Sequence, residues 1–177
     1  MDITYEKLTE PQITRELFAH FQRHQEVTRC WRKENGKWIL KNIKFVEEWT
    51  EAEYAFLVKC LKNTIKTGGY VYGAFQDEVL LGFVSVESKH FGSQNQYVQL
   101  SCIHISCKSR GNGMGKQLFR LACVAGRKLG AAKLYISAHS AEESQAFYHA
   151  MGCIEAMEYE KELSEAEPCD CQLEKQL

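Results

Sequence analysis

Residues 103–116 run Ile-His-Ile-Ser-Cys-Lys-Ser-Arg-Gly-Asn-Gly-Met-Gly-Lys, an apolar β-like stretch that breaks into a basic, glycine-rich turn and leads straight into an amphipathic helical pattern. Glycines at 111, 113 and 115 remove the Cβ atoms that would hold a ligand away and open backbone conformations closed to other residues. The turn's N–H groups can then converge on phosphate oxygens. The helix behind it adds its unpaired first-turn amides and the positive end of its dipole, and Arg110 and Lys116 add full charges. The segment therefore predicts an anion cradle, and spacing narrows the choice of anion. A P-loop would need glycine at position 110, which is Arg110, and Ser or Thr at 117, which is Gln117. A G-x-G-x-x-G dinucleotide turn fails in both registers, because its third glycine falls on Lys116 or on Leu118.

What does match is Arg-x-x-Gly-x-Gly at Arg110, Gly113 and Gly115, together with Phe147-Tyr148-His149-Ala150-Met151-Gly152 further on. Over about residues 70–160 the chain resembles the GNAT superfamily of N-acetyltransferases, in which the first motif belongs to the acetyl-CoA pyrophosphate site and the second to a Phe-Tyr-x-x-x-Gly helix end. The resemblance implies an α/β (α+β) fold with a mixed central sheet of six to seven strands flanked by about four helices. It also implies acetyl-CoA as co-substrate. Pantetheine would pair like an extra strand with the backbone of Cys102, Ile103, His104 and Ile105, where that strand splays from its neighbour. Arg110, Gly111, Asn112, Gly113, Met114, Gly115 and Lys116 would grip the pyrophosphate. Tyr148 occupies the position of the family's general acid, whose hydroxyl protonates the departing sulfur; as a plain sequence feature it reads equally as a buried aromatic.

The general base is not legible. Family members often carry Glu or His on the strand before the loop, whereas the inward-alternating residues here, Gln99 and Ser101, cannot serve near neutral pH. His104, on the opposite alternation, His139 before the next helix, Glu87 at a strand end, and a water chain stay open as alternatives.

The elements that must position these groups follow from periodicity and punctuation. Ile3 to Leu8 predicts a strand, and Pro11 opens a helix with Ile13, Leu17 and Phe21 at four-residue intervals. Asn35-Gly36 predicts a type I′ hairpin within residues 22–49. Thr50-Glu-Ala-Glu53 is a capping box for a helix that presents Tyr54, Leu57, Val58, Leu61 and Ile65 and stops at Gly68. Tyr70 to Phe75 and Val79 to Glu87 predict a second hairpin, and Tyr97 to Ser106 the strand that delivers the cradle. Leu118, Leu121, Ala122, Ala125 and Leu129 form the stripe of the next helix; Lys133 to Ala138 is a strand, and Ser140 caps the helix bearing Tyr148. Cys153 to Tyr159 and Asp170 to Leu173 predict two last strands around an acidic loop.

With 177 residues, 45% of them apolar, the chain predicts one domain, residues 1–177, with an inserted substrate-side segment at 22–49. The aromatics of that segment, Trp31, Trp38 and Phe45, with Trp49 beside it, either form a lid over an amine or merely cover its own apolar face. A net charge of −1 offers no field for nucleic acid or an anionic membrane, and no run approaches a spanning helix. The acidic start lacks a signal peptide's basic region, so a cytoplasmic location is expected, with the eight cysteines as free thiols rather than a metal or disulfide framework. The expected reaction is direct transfer of acetyl to the primary amine of a small acceptor. Transfer to a protein or peptide, and a non-catalytic acetyl-CoA sensor, are the alternatives, and tail exchange through residues 153–177 would make a homodimer.

Overall fold

The computed structural model describes residues 2–177. Strand β1 (Thr4–Lys7) is followed by two single 3₁₀ turns, then by β2 (His24–Glu34), β3 (Lys37–Glu48), α1 (Glu51–Lys66), β4 (Tyr70–Gln76), β5 (Val79–Val86) and β6 (Tyr97–Ile105). After the cradle come α2 (Met114–Lys128), β7 (Lys133–Ala138), α3 (Glu142–Ala150), β8 (Ile154–Glu155), α4 (Lys161–Ala166) and β9 (Cys171–Gln176). Seven strands form one mixed sheet in the order β1-β4-β5-β6-β7-β9-β8, and β2 with β3 forms a separate ribbon. Only β6 and β7 run parallel, joined across α2. Among the described residues no helix is long and apolar enough to cross a membrane.

Each face of the sheet carries its own core. On one face α2 buries Met114, Leu118, Phe119 and Ala122 against Val84, Val98, Leu100 and Leu134. On the other, α1 buries Tyr54, Leu57 and Leu61 against Val71, Leu80 and Phe83. The capping box starts α1 as its spelling predicts: Thr50 Oγ1 accepts the Glu53 N–H at 3.3 Å and Glu53 Oε2 accepts the Thr50 N–H at 2.6 Å, a cap worth about 1 kcal/mol. Gly68 ends the segment at φ 94°. Both two-residue hairpin turns have left-handed centres, Asn35 (50°) with Gly36 (76°) and Asp77 (49°) with Glu78 (65°).

Four expectations fail for physical reasons. The helix read from Pro11 is instead two 3₁₀ turns, Glu10–Gln12 and Glu16–Phe18, separated by an extended Ile13. Gln12 spends its side chain on Thr9, and Thr14 Oγ1 captures the Leu17 N–H at 3.2 Å, so local side-chain bonds displace the helical ladder. Ile13, Phe18 and Phe21 are buried all the same. Ser140 does not cap α3; Ala141 holds that position, and the Ser140 hydroxyl accepts Arg32 Nη1 at 2.7 Å. The acidic tail contains α4, and β9 inserts between β7 and β8. Finally, the register of β5 against β6 slips at Ser101, since Val86 faces Leu100 while Ser85 faces Cys102. This bulge reverses the alternation. Val98 and Leu100 before it share the α2 face with Ile103 and Ile105 after it, which moves His104 to the side of Gln99 instead of the opposite one.

A lone two-stranded ribbon is marginal in water, so β2–β3 needs a dock. It lies on the start of α3: Trp31 N–H donates to Ser140 C=O at 2.8 Å, and Val27, Cys30 and Ala141 make a small closed core with Ile43 and Phe45. Arg29 adds a two-pronged contact to Glu142 at 2.6 and 2.8 Å, and Lys33 reaches Glu155 at 2.7 Å. Exposed pairs of this kind contribute at most about 1 kcal/mol each, so the apolar seam and the backbone bond carry the docking and the ion pairs set its register.

Candidate functional site

The parallel pair β6–β7 holds only over Tyr97–Gln99 against Lys133–Tyr135. Beyond that point β6 stays on β5 while β7 stays on β9, with no pairing between β6 and β7, so the outward backbone groups of residues 100–105 face a gap. The gap opens into a cleft of about 690 Å³. Cys102, Ile103, His104, Ile105, Arg110, Gly111, Gly113, Met114, Gly115, Lys116 and Tyr148 all line it; Asn112 stands at its rim without lining it.

At the cradle end, Gly111 (86°) and Gly113 (75°) take left-handed backbone that places the turn across the start of α2. Among the described residues the N–H groups of 111–116 donate no hydrogen bond, and a Cβ built on Gly111 or Gly113 meets nothing within 4 Å. Open space, free amides and two cations are what a diphosphate requires, so the loop fits the group that its sequence implies. Gly115 is there for packing: its Cβ position lies 3.2 Å from the Phe147 ring, which seats α3 against α2. Met114 contributes backbone only, its side chain being buried beside Gly82.

Tyr148 is nearly buried at the middle of the cleft, and its hydroxyl makes no hydrogen bond among the described residues. Burial, reinforced by Cys153 and Cys102, pushes its pKa well above the usual tyrosine value. A phenol so weakly acidic stays protonated across the physiological range. Full proton transfer from it to a thiolate, whose conjugate acid is near ~8.5, is uphill. The chemistry open to such a hydroxyl is hydrogen-bond donation rather than proton release.

None of the three protein candidates for the base survives intact. His104 is packed between Trp49 (4.8 Å) and Phe83 (5.6 Å), and burial, with Arg23 and Arg110 adding to it, pushes its pKa down to about 3. It is neutral at working pH and too weak to hold a proton. His139 Nδ1 accepts the Ala141 N–H at 3.1 Å and its Nε2 faces Glu47 at 3.2 Å, so neither ring nitrogen offers a free lone pair. Glu87 turns away from the cleft, taking hydrogen bonds from Ser101 and Thr64, both at 2.7 Å.

The structure brings in groups that the sequence reading missed. Asp170, at the mouth of β9, lines the cleft with Glu47, Glu143 and Glu167. Burial pushes its carboxyl up, partly offset by the Ser137 hydroxyl at 3.2 Å. A carboxylate with raised basicity on the Tyr148 side of a cleft is suited to proton abstraction. Arg23, buried, and Gln25 complete that wall from the base of the ribbon. No spacing in the sequence announces these residues, because they come from four separate segments. Nor do the aromatics close over the cleft. Trp31 and Trp38 pack on the main core, Phe45 against His139 at 5.8 Å, and Trp49 on Phe21, Tyr54 and His104. The lid reading gives way to the covering one, and the ribbon offers the cleft polar side chains.

Charge is thus unevenly spread over the cleft, with Arg110, Lys116 and free amides at the cradle and Glu47, Glu143, Glu167 and Asp170, with the buried Arg23 beside Glu47, elsewhere along it. Similarity to known proteins agrees with this geometry. A search of curated proteins finds no match by sequence. Among solved structures the fold is close to that of nourseothricin acetyltransferase (TM-score 0.70, 16% identity, 98% of this chain and 96% of that one). It is similar to a protein of Bacillus anthracis str. Ames assigned as a streptothricin acetyltransferase, in complex with acetyl coenzyme A (0.74, 12%, 100% and 99%). It also resembles the PaiA N-acetyltransferase of Thermoplasma acidophilum in complex with coenzyme A (0.61, 14%, 100% and 100%). At such identities these show the fold. The model of the Acetyltransferase (GNAT) family matches residues 29–153, more than half of the sequence, and the chain belongs to that family.

Proposed function

We propose that the chain is a single catalytic domain that moves the acetyl group of acetyl-CoA directly to a primary amine of a small acceptor, with the β2–β3 ribbon as one wall of the acceptor site. Acetyl-CoA, the co-substrate, supplies an activated thioester carbonyl. The amine nitrogen forms the new C–N bond as the C–S bond breaks; starting from the ammonium, two protons leave the nitrogen, one to a base before attack and one, released as the amide forms, to the departing thiolate by way of solvent. The observation that carries this reading is the uneven spread of charge within one cleft, because a diphosphate and a protonated amine call for opposite surroundings.

In this reading the residues take the following parts. Arg110, Lys116 and the amides of 111–116 hold the diphosphate, and the unpaired backbone edge of Cys102 to Ile105 aligns the arm that follows. An N–H on that edge donates to the thioester oxygen as charge develops there. Asp170 takes the proton that an ammonium must lose before it can attack, and Tyr148 donates to the departing sulfur. Titration of the protein with acetyl-CoA by calorimetry, followed by a free-thiol assay over a panel of small amines and short peptides, tests this directly. Binding with thiol release from small amines is the expected result; release from peptides alone would move the acceptor class, and no binding would overturn the assignment.

A further inference from the structure

Arg23 is the least comfortable residue of the cleft. It is only 8% exposed, and its Nε is the one buried side-chain polar atom without a hydrogen-bond partner among the described residues. Among the described residues its one side-chain bond is Nη1 to Gln25 Oε1 at 3.3 Å; its guanidinium lies 5.7 Å from the Trp49 ring centre, and Glu47 and Arg110 act on it through space without bonding it. A buried arginine normally has a carboxylate or a carbonyl fork to satisfy it, because its five donors lose water on burial. Here the fold holds the group in place without supplying that partner. Gln22 N–H donates to Ser106 Oγ at 3.0 Å, Cys107 N–H to Gln22 C=O at 2.9 Å, and Tyr54 Oη to Phe21 C=O at 2.9 Å, so the residues just before Arg23 are tied to both β6 and α1.

Its position says which molecule brings the partner. Arg110, Lys116 and the loop amides already serve a phosphate, whereas Arg23, although within Coulomb range of Arg110, feels Glu47 more strongly and lines the cleft with Gln25 and Glu47 at the foot of the ribbon, in the same cleft as Glu143, Glu167 and Asp170. We propose that Arg23 anchors a carboxylate of the acceptor, so that the acceptor is a small amino carboxylate whose acid group meets Arg23 and whose ammonium groups face the acidic wall. The planar fork of Arg23 suits a carboxylate in two-pronged geometry, and the acidic residues around it reject an acceptor with negative charge elsewhere. This inference rests on the acetyl-transfer reading above and sharpens its substrate class.

The test uses matched acceptors that differ only in the carboxylate, L-lysine against cadaverine and L-ornithine against putrescine, in the thiol-release assay with the full chain. The wild type should favour the carboxylated member of each pair by about tenfold or more in kcat/KM. Arg23→Gln should raise KM for that member roughly 10- to 100-fold while leaving kcat, the decarboxylated partner and acetyl-CoA affinity within about threefold, and Arg23→Lys should restore part of the loss. Retained acetyl-CoA binding also reports that the variant folds; should Arg23→Gln fail to fold, Arg23→Lys and the wild-type pair preference decide. Equal use of both members by the wild type would overturn the proposal and leave acetyl transfer standing. Loss of acetyl-CoA affinity in Arg23→Gln, with the pair ratio unchanged, would overturn it by assigning Arg23 to the donor. Acetyl-CoA binding without thiol release from any amine would overturn both readings.

Discussion

The two ends of the cleft are built in opposite ways. The cradle end is contiguous: residues 102–116 supply the strand edge, the turn, the cations and the helix start within fifteen positions. The end proposed for the acceptor is assembled from Arg23 just before the ribbon and Glu47 on it, His139 and Glu143 at α3, and Glu167 and Asp170 before β9. A diphosphate is recognised by backbone geometry, which neighbours in sequence can specify; an acceptor is recognised by side chains that only the tertiary fold brings together. The contrast predicts that damage at the first end removes binding, while damage at the second removes turnover and leaves binding in place.

The largest effect is expected at the cradle. Gly113→Asp forces a side chain onto backbone at φ 75° and sets an anion at the start of α2, where the phosphates must sit. Calorimetry should show acetyl-CoA affinity down by more than about 100-fold, and unchanged affinity in the folded variant would break the comparison at its firmer end. Next comes Asp170→Asn, which keeps the shape and the Ser137 contact but removes the base proposed above. We expect kcat to fall roughly 100-fold with acetyl-CoA affinity retained, and the acid limb of the kcat profile, set by a carboxyl held above its ordinary pKa, to disappear. A full-speed variant would hand the proton to a water chain.

Tyr148→Phe should cost about tenfold in kcat, less than Asp170→Asn, because a hydroxyl that holds its proton so firmly helps the sulfur by hydrogen bonding rather than by complete transfer. The smallest catalytic effect belongs to His104→Gln, within about threefold, since a ring with its pKa near 3 takes no proton from an amine. Its signature lies in stability instead. Unfolded, His104 binds a proton near ~6.5, whereas folded it does so only near 3, so between those values the unfolded state holds more protons and stability falls as pH drops, by at most about 1.4 kcal/mol per pH unit. Urea melts of His104→Gln should therefore show a shallower acid decline than the wild type, with a constant offset above pH 7 from the lost packing on Trp49 and Phe83. Identical acid limbs would place His104 in water.

The same contrast explains what the sequence disclosed. Thr50 with Glu53 and Asn35 with Gly36 act within a few residues of one another, and the structure forms the cap and the turn as spelled; the glycine turn of 111–115 likewise leads into a helix start with open amides, as its local pattern requires. Most of the misreadings turned on partners far along the chain, the segment after Pro11 being the local exception. Ser140 looked like a cap until Arg32, 108 positions away, took its hydroxyl. The four-residue spacing of Ile13, Leu17 and Phe21 was core spacing without a helix, because Gln12 and Thr14 side chains satisfied the backbone first. The bulge at Ser101 depends on how β5 lies alongside, and with it the side on which His104 emerges. Asp170 and Arg23 carried no local mark at all.

The clasp of β2 onto α3 has a mechanical corollary. Through Trp31 with Ser140 and Arg29 with Glu142, the ribbon, the proposed acceptor wall, and the helix that carries Tyr148 are clasped into one unit. A substitution that tilts the ribbon to admit a different molecule also swings the phenol relative to the sulfur. In this scaffold, choosing what to acetylate and setting how fast to do it are adjustments of a single hinge, so a change of acceptor will be felt in turnover before any group that touches the thioester is altered.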